Sequence, residues 1–426
     1  MFCSYACNSP EHLLSRRGFL GVGAAGLMGF AGMVEPSAAA ELKKAQKRVV
    51  VIDLRGGVSQ LETWDPKPGT DTGGPFQAIP TSVPGLHICE LLPYTAKQMH
   101  RLVLIRGLNT KEDDHGKGHY IMVTGRRQEP AQDYPQIGAV CAKMLGSPDA
   151  ALPGHIHITP KGEGGFNKSD SAFLGPKYAS ISLGDGKPPA NLLRPASLSE
   201  AADHQRNAFR ERANAHFTAR RRTAETEAYT QSYEQAAQIM ERRAVFDIGK
   251  ESPRYHDRYG THDFGRHCLL ARRLLENGVT FVRVSHTNYD THHENFDFHI
   301  EQLDEFDRTF ATLIDDLHDR GMLESTLVVV MSEFGRTPRI NRNYGRDHWS
   351  KAWSVVLGGC GVKPGAVVGK TNANGTAVVE REVNGGHLFH TYYRALGLDP
   401  KKKLYDNQRP IPMADPKASA IQEVLA

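Results

Sequence analysis

The chain has few cysteines, little net charge and no long apolar run, and each shortage excludes a class of protein. Its 426 residues contain 6 cysteines and no Cys-x-x-Cys pair, so neither a structural zinc site nor a dense disulfide framework is expected. A net charge of +4 is too small to indicate nucleic acid as a partner. A hydrophobic fraction of 39% suits a soluble protein with a sizeable core. Histidine, by contrast, is plentiful, with 20 residues.

The N-terminal segment, residues 1–40, is predicted to be a twin-arginine export signal. Arg16 and Arg17 precede an uncharged, glycine-rich run, and small residues suited to signal peptidase follow it. The alternative is a membrane anchor, for which so short a run lies at the lower limit. Gly21 to Gly26 match a dinucleotide-binding fingerprint, but no strand precedes them, so no nucleotide is expected. We expect the twin-arginine machinery as a partner, a periplasmic or cell-surface location, and no stable membrane span after cleavage.

Residues 41–426 are predicted to form a single α/β domain with a mostly parallel central sheet flanked by helices. Short apolar runs, typical of buried parallel strands, occur at 49–54, 101–107, 280–285, 326–332 and 353–358. Helical patterns precede the third and fourth of these runs, at 269–277 and 296–320.

Two stretches between these runs differ from the rest. A charged stretch, roughly 197–262, is predicted to be a solvated helical insertion, because acidic residues interleave with its arginines. Residues 153–195 are rich in Gly, Pro, Ser and Lys, and predict an extended loop over the active edge of the sheet.

Side chains that can bind a metal ion stand at or just beyond the predicted strand ends. They are Asp53, His115, Asp290, His292, Glu333, Asp347 and His348, with His119 and His293 as further candidates. Because the carboxyl ends of parallel strands meet at one edge of a sheet, we expect these side chains to lie together. Imidazole and carboxylate ligands suit Zn²⁺, Fe or Mn²⁺. Two such ions, about 3.5–4 Å apart, can form a hydrolytic site.

Several longer motifs resemble one known family. They are GGVSQLETWDPKP at 56–68, LLARRLLENGV at 269–279, YDTH at 289–292, SEFGRTP at 332–338, GRDHW at 345–349, and the stretch 387–400. Their order resembles the alkaline phosphatase–sulfatase superfamily and, more closely, the bacterial family called domain of unknown function 1501. The resemblance covers nearly all of 47–412. It implies an alkaline phosphatase-like fold around one or two divalent ions, with Zn expected and Mn, Fe or Ca as alternatives.

The resemblance also implies roles for single residues. Asp53 resembles the carboxylate after the first strand that binds one metal, and Glu333 stands where the superfamily usually has an aspartate. Asp290 and His292 resemble the pair on the other metal, and His348 resembles its last histidine. Phe334 replaces a histidine ligand, so one ligand of the Asp53–Glu333 metal is missing.

The position of the superfamily's nucleophile departs furthest from the pattern. Thr124-Gly125-Arg126 is present, but His115 stands nine residues before it, where sulfatases have cysteine. Sulfatase chemistry of the usual kind is therefore not expected. His115 has three interpretations: a metal ligand that restores the missing coordination, which we favour, a nucleophile, or a structural residue. Ser59 is a fallback nucleophile.

Together these observations predict an exported metal-dependent hydrolase of phosphate or sulfate esters. Water activated by one or two bound metals would attack a small-molecule or polysaccharide ester directly. Arg336, Arg346 or Lys117 could neutralise the oxygens of the transferring group. The alternative is a non-catalytic binding protein on the same scaffold.

Overall fold

A computed structural model describes residues 46–426, apart from 148–149, 161–164, 168, 189–193 and 221–223. The predicted export signal over 1–40 lies outside the described residues. Lys47–Ala426 form one compact unit. Among the described residues, no helix is both long and apolar enough to cross a bilayer.

The strands and helices are numbered in chain order. The described strands are β1 (Arg48–Leu54), β2 (Ala78–Pro80), β3 (His87–Cys89), β4 (Leu102–Leu108), β5 (His155–Thr159), β6 (Gly165–Asn167), β7 (Ser180–Gly184), β8 (Phe281–His286), β9 (Thr326–Met331), β10 (Gly335–Arg336), β11 (His348–Trp349), β12 (Trp353–Gly359), β13 (Val367–Val368), β14 (Lys370–Thr371), β15 (Val378–Glu380), β16 (Lys403–Asp406) and β17 (Arg409–Pro412). The described α-helices are α1 (Pro93–Gln98), α2 (His115–Thr124), α3 (Ile137–Leu145), α4 (Glu200–Arg220), α5 (Ala224–Glu241), α6 (Pro253–Tyr259), α7 (Asp263–Glu276), α8 (Asn295–Asp319) and α9 (Gly385–Ala395).

A nine-stranded sheet in the order β13-β4-β12-β9-β1-β8-β5-β7-β6 forms the centre of the fold. Five of its eight adjacent pairings are parallel, and β12 is antiparallel to both of its neighbours. The predicted α/β class is therefore confirmed. Because β4, β9, β1 and β8 run in the same direction, the loops after them meet at one edge, and the antiparallel strand β12 begins at that edge.

Both faces of the sheet are covered by helices, which explains the uninterrupted apolar runs. Successive residues of β1 point to opposite faces. Val50 and Ile52 pack in the cluster that contains residues of α7 and α8. Val49 and Val51 pack in the other cluster, with residues of α3 and α9.

One predicted segment is wrong. Residues 153–195, expected to be a loop, supply β5, β6 and β7, which extend the sheet. In β5, Ile156 and Ile158 pack in the core, whereas His155 and His157 occupy the alternate positions and hide the apolar pattern of a buried strand. The helices α4, α5 and α6 lie in the stretch 197–262, where the insertion is predicted. The four cysteines after residue 45 are free and buried.

Candidate metal centre

Helix α2 fixes the position of His115. Asp114 caps the helix, and its side chain accepts a hydrogen bond from the Lys117 amide, 2.9 Å away. The helix ends at Thr124, and the next residue, Gly125, caps it in a left-handed conformation, at φ 72°, that glycine adopts without strain. His115 is thus the first residue of α2 and lies at the edge of the sheet where the loop after β4 ends.

The loop after β8 carries Asp290 and His292. It approaches the loop after β1 so closely that a Cβ atom at Gly56 would lie 2.4 Å from the Asp290 amide nitrogen. The loop before β12 packs on it as well, because a Cβ atom at Gly345 would lie 1.9 Å from the carbonyl oxygen of His292. Glycine at both positions allows the three loops to meet.

His348 reaches the same place through a short hairpin. Strand β11 pairs with β10, with His348 opposite Arg336. The Arg336 guanidinium in turn donates a hydrogen bond to Asp290 Oδ1 at 2.5 Å. The hydrogen bond between Arg336 and Asp290 connects the loop after β9 with the loop after β8.

Ligand atoms of His115, Asp290 and His348 lie within 4.8 Å of one another at this edge, and His292 adjoins this group through His348 and Asp290. The Nε2 atoms of His292 and His348 lie 3.0 Å apart, and they lie 3.2 and 3.3 Å from Asp290 Oδ1. The Nε2 atom of His115 lies 3.4 Å from Asp290 Oδ2. The side chains of His115 and Asp290 are 39% and 50% exposed, so solvent reaches the cluster.

The other ring nitrogen of each histidine faces a hydrogen-bond acceptor. His348 Nδ1 donates to the backbone carbonyl of Asp113 at 2.7 Å. His292 Nδ1 donates to Asp347 Oδ1 at 2.7 Å, and His115 Nδ1 donates to Glu333 Oε1 at 2.8 Å. Metal-binding histidines usually have such an outer partner, which fixes the tautomer and the orientation of the ring.

The hydrogen bonds from the histidines favour the ionised form of their carboxylate partners, Asp347 and Glu333. The bond from His292 lowers the pKa of Asp347. Burial opposes ionisation of Glu333, but hydrogen bonds from His115 and from the Gly56 amide outweigh it and lower its pKa. Since both carboxylates are ionised acceptors, Nδ1 of His115 and of His292 carries a proton, and in the neutral rings the Nε2 lone pair faces inward. The hydrogen bond to Glu333 raises the pKa of His115, so this ring becomes neutral only at higher pH.

Inward lone pairs repel one another unless a cation, either a metal ion or a proton, lies between them. The pKa of Asp290 falls to about 2, because bonds from Arg336 outweigh the effect of burial, so its carboxylate adds further negative charge. Burial lowers the pKa of His348, which favours its neutral, metal-binding form. Three imidazole nitrogens and one carboxylate form a donor set that fits Zn²⁺.

Two of the predicted ligands have another place in the structure. Glu333 Oε1 contacts Nδ1 of His115, and Asp347 Oδ1 contacts Nδ1 of His292. The prediction also assigned His115 to the metal of Asp53 and Glu333, but its Nε2 faces Asp290. Loop geometry, which the sequence pattern does not specify, decides which nitrogen faces the cluster.

Asp53 is fully buried, and neither of its carboxylate oxygens has a hydrogen-bond partner among the described residues. Burial raises its pKa to about 6, against the effects of two arginines. Arg55 Nη1 and Arg283 Nε lie 3.9 and 4.0 Å from Asp53 Oδ2. Two guanidinium groups therefore flank the carboxylate that the family resemblance assigns to a metal.

Two of the predicted cationic residues are buried. Arg336 donates to Asp290, to the carbonyl of Arg346, and to those of Gly56 and Gly57. Arg346 binds both carboxylate oxygens of Glu62, whose side chain is also fully buried. Arg346 therefore stabilises the loops, and Arg336 acts on the centre through Asp290.

The remaining candidates lie outside the convergence point. Ser59 is fully buried, and its hydroxyl accepts a hydrogen bond from the Leu61 amide, which does not support a nucleophilic role. His119 Nε2 lies 3.5 Å from Arg283 Nη1. His293 is exposed, and its ring lies 5.7 Å from that of Phe298.

A second group of possible ligands, which the sequence reasoning missed, is buried: His155, His157 and Asp170. Arg283 donates to His157 Nδ1 at 3.0 Å, so the proton of this ring is on Nε2, which lies 2.9 Å from His155 Nε2. His155 Nδ1 donates to the Tyr178 carbonyl at 3.0 Å. This chain of hydrogen bonds needs no cation. The alternation of His155 and His157 in β5 was the signal that could have found it.

Solved structures of alkaline phosphatases, sulfatases and related proteins are similar to this chain. The lipoteichoic acid synthase LtaP from Listeria monocytogenes matches 90% of this chain and 78% of its own, at a TM-score of 0.38 and 8% identity. The alkaline phosphatase from the Antarctic bacterium TAB5 matches 83% of this chain and 99% of its own, at a TM-score of 0.37 and 13% identity. The PsFucS1 sulfatase from Pseudoalteromonas sp. matches 91% of this chain and 75% of its own, at a TM-score of 0.38 and 12% identity.

At the level of sequence, no curated protein matches the chain. The family described as "Protein of unknown function (DUF1501)" matches residues 46–425, which is nearly the whole of the described part. The chain therefore belongs to the DUF1501 family.

Proposed function

We propose that the chain is an exported, metal-dependent hydrolase of phosphate or sulfate esters, with one metal ion at the centre formed by His115, Asp290, His292 and His348. The observation that carries the proposal is the group of His115, Asp290 and His348, with His292 Nε2 beside it at 3.0 Å from His348 Nε2, while each Nδ1 is held by an outer acceptor. A bound divalent ion would polarise an ester oxygen and lower the pKa of water to about 7.

The chain's own residues supply the geometry. Asp347, Glu333 and the Asp113 carbonyl hold the three rings in the tautomer that ligation requires. The buried Arg336 holds Asp290 in place. Because the centre lies at an open edge of the sheet, both an ester and a water molecule can reach it.

A covalent intermediate is not required. The position of the superfamily's nucleophile is occupied by His115, whose two nitrogens contact Glu333 and Asp290. Ser59, the other candidate, is buried. Direct attack by water on the ester is therefore the simplest reaction for this arrangement.

The test is turnover of p-nitrophenyl phosphate and p-nitrophenyl sulfate by the exported protein. We expect hydrolysis of at least one ester, its loss with a chelator and its return with zinc. His292→Ala should abolish turnover, whereas His293→Ala, which alters an exposed neighbour outside the cluster, should leave it unchanged. Protein that binds a metal but hydrolyses neither ester would favour the alternative function, a binding protein.

A further inference from the structure

An ester with an anionic phosphate or sulfate group needs a cation beside the metal centre. The centre itself is surrounded by the carboxylates of Asp290, Glu333 and Asp347. Cations aimed at the charge of a transferring group are a usual means of stabilising it. The cationic side chains near the centre differ in the donors that each has available.

Arg336 and Arg346 have no capacity for a substrate anion. The Arg336 side chain is fully buried and donates to three backbone carbonyls and to Asp290. The Arg346 side chain is also fully buried. All three of its nitrogens are bound to Glu62 or to backbone carbonyls.

Arg283 is also engaged. Its side chain is only 11% exposed. It donates to His157 Nδ1, and it lies 3.5 Å from both His119 Nε2 and Gln136 Oε1. It therefore connects the centre of the sheet to the histidines of β5.

Arg55 differs from these three arginines. Its side chain is 40% exposed, and within the part of the chain that the structure describes its guanidinium has no hydrogen-bond partner. Among the described residues, its ionic contact is Asp53 Oδ2, at 3.9 Å. A half-exposed guanidinium with all of its donors available can bind an oxyanion with two parallel hydrogen bonds.

The backbone places Arg55 next to the ligands. The Arg55 carbonyl accepts a hydrogen bond from the Tyr289 amide at 3.2 Å, one residue before Asp290. The amide of the next residue, Gly56, donates to Glu333 Oε1 at 3.0 Å, the same oxygen that accepts from His115. The charge of Arg55 also lowers the pKa of Glu333.

Lys117 is the remaining candidate, and it points elsewhere. Residues two apart in a helix do not share a face, so Lys117 and His115 lie on different sides of α2. Lys117 lines a separate cavity of about 430 Å³ with Glu112, Ile121 and Arg127. It therefore provides a matched control for Arg55.

We propose that Arg55 binds the tetrahedral anionic group of the substrate, and that its guanidinium stands beside Asp53 in place of a second metal ion. This inference rests on the proposed function and deepens it, because it names the group of the substrate that is recognised. The ligand class is a tetrahedral oxyanion, either a phosphate or a sulfate monoester group.

The experiment is calorimetric titration of the zinc-loaded chain with inorganic phosphate and, separately, with inorganic sulfate. We expect at least one anion to bind the wild-type protein. Arg55→Gln should weaken that binding by roughly 10- to 100-fold, since hydrogen bonds from a charged group are lost. Arg55→Lys, which keeps a point charge without the forked donors, should give an intermediate loss. Lys117→Gln should bind as the wild type does.

Zinc content and folding are measured on each variant. One zinc per chain in the wild type and in the Arg55 variants supports the inference, and two ions per wild-type chain would overturn it. Unchanged anion affinity in Arg55→Gln would also overturn it, even if esters are hydrolysed. If the Gln variant does not fold, Arg55→Lys decides, and equal affinity to wild type then counts against the forked contact. Anion binding that depends on Arg55 without any turnover would remove the proposed function and leave this assignment standing.

Discussion

Replacing Asp347 tests whether this carboxylate is a metal ligand or the partner of one. Its Oδ1 atom accepts from His292 Nδ1 at 2.7 Å and from Asn341 Nδ2 at 3.3 Å. In Asp347→Ala the His292 ring loses the contact that holds its orientation, but the ligand atoms of His115, Asp290, His292 and His348 remain. Loss of such an outer partner typically lowers metal affinity by about 10- to 100-fold, which is about 1.4–2.7 kcal/mol.

Asp290→Ala should have a larger effect than Asp347→Ala. It removes one of the four ligands and leaves the buried Arg336 without its carboxylate. Asp347→Asn keeps an acceptor oxygen for His292 and should lose less affinity than the alanine variant. Asp319, exposed at the far end of α8 and without contacts to the centre, supplies the control variant Asp319→Ala.

The assay is competition for zinc between the metal-free protein and a chromophoric chelator at a fixed pH. The expected order of affinity is wild type and Asp319→Ala, then Asp347→Asn, then Asp347→Ala, then Asp290→Ala. If Asp347→Ala lost as much affinity as Asp290→Ala, Asp347 would be a ligand. If it lost none, the outer-partner reasoning would be refuted.

Two further predictions follow from the packing and the charges of the site. Gly345→Ala should push the backbone at His292 and lower zinc affinity at least as much as Asp347→Ala does. Gly116→Ala is the control, because the nearest neighbour of its new Cβ atom is 3.4 Å away, and it should keep the zinc affinity of the wild type. Equal zinc affinity in the two glycine variants would contradict this prediction. In metal-free protein, burial raises the pKa of Asp53 from 3.8 to about 6. The protonated carboxyl therefore stabilises the folded state fully below pH 3.8. This stabilisation is lost as the pH rises through about 6, and the free energy of unfolding falls by up to about 3 kcal/mol. Urea unfolding of wild type and Asp53→Asn between these pH values should show a stability difference that changes with pH, and a constant difference would count against the burial argument.

The main parts of the fold were predictable because burial on both faces leaves a direct record in the sequence. The runs that became β1 and β9 contain few polar residues, since helices cover both faces there. Strand β5 has the same environment, but His155 and His157 replace apolar residues by bonding to each other and to Arg283. A hydrophobic run also carries no direction, so the antiparallel course of β12 could not be predicted.

The residue types of the centre were predictable, but their roles were not. The sequence shows that His115, Asp290, His292 and His348 follow strand ends, and the sheet brings those ends together. Which ring nitrogen of a histidine, Nε2 or Nδ1, faces the cluster depends on contacts between loops, which the sequence does not show.

Arg55 was missed for a different reason. It directly follows a buried strand, in a position that looks like the start of a turn. Its importance lies in the lack of hydrogen-bond partners for its guanidinium among the described residues, which only the structure shows.

The central claim is that His115, Asp290, His292 and His348 hold one metal ion. The most direct test is elemental analysis of protein purified without chelator, for the wild type and for a variant with both Asp290 and His348 changed to Ala. We expect one transition-metal ion, most simply zinc, per wild-type chain and none in the double variant. Wild-type protein without metal that also fails to take up added zinc would contradict it.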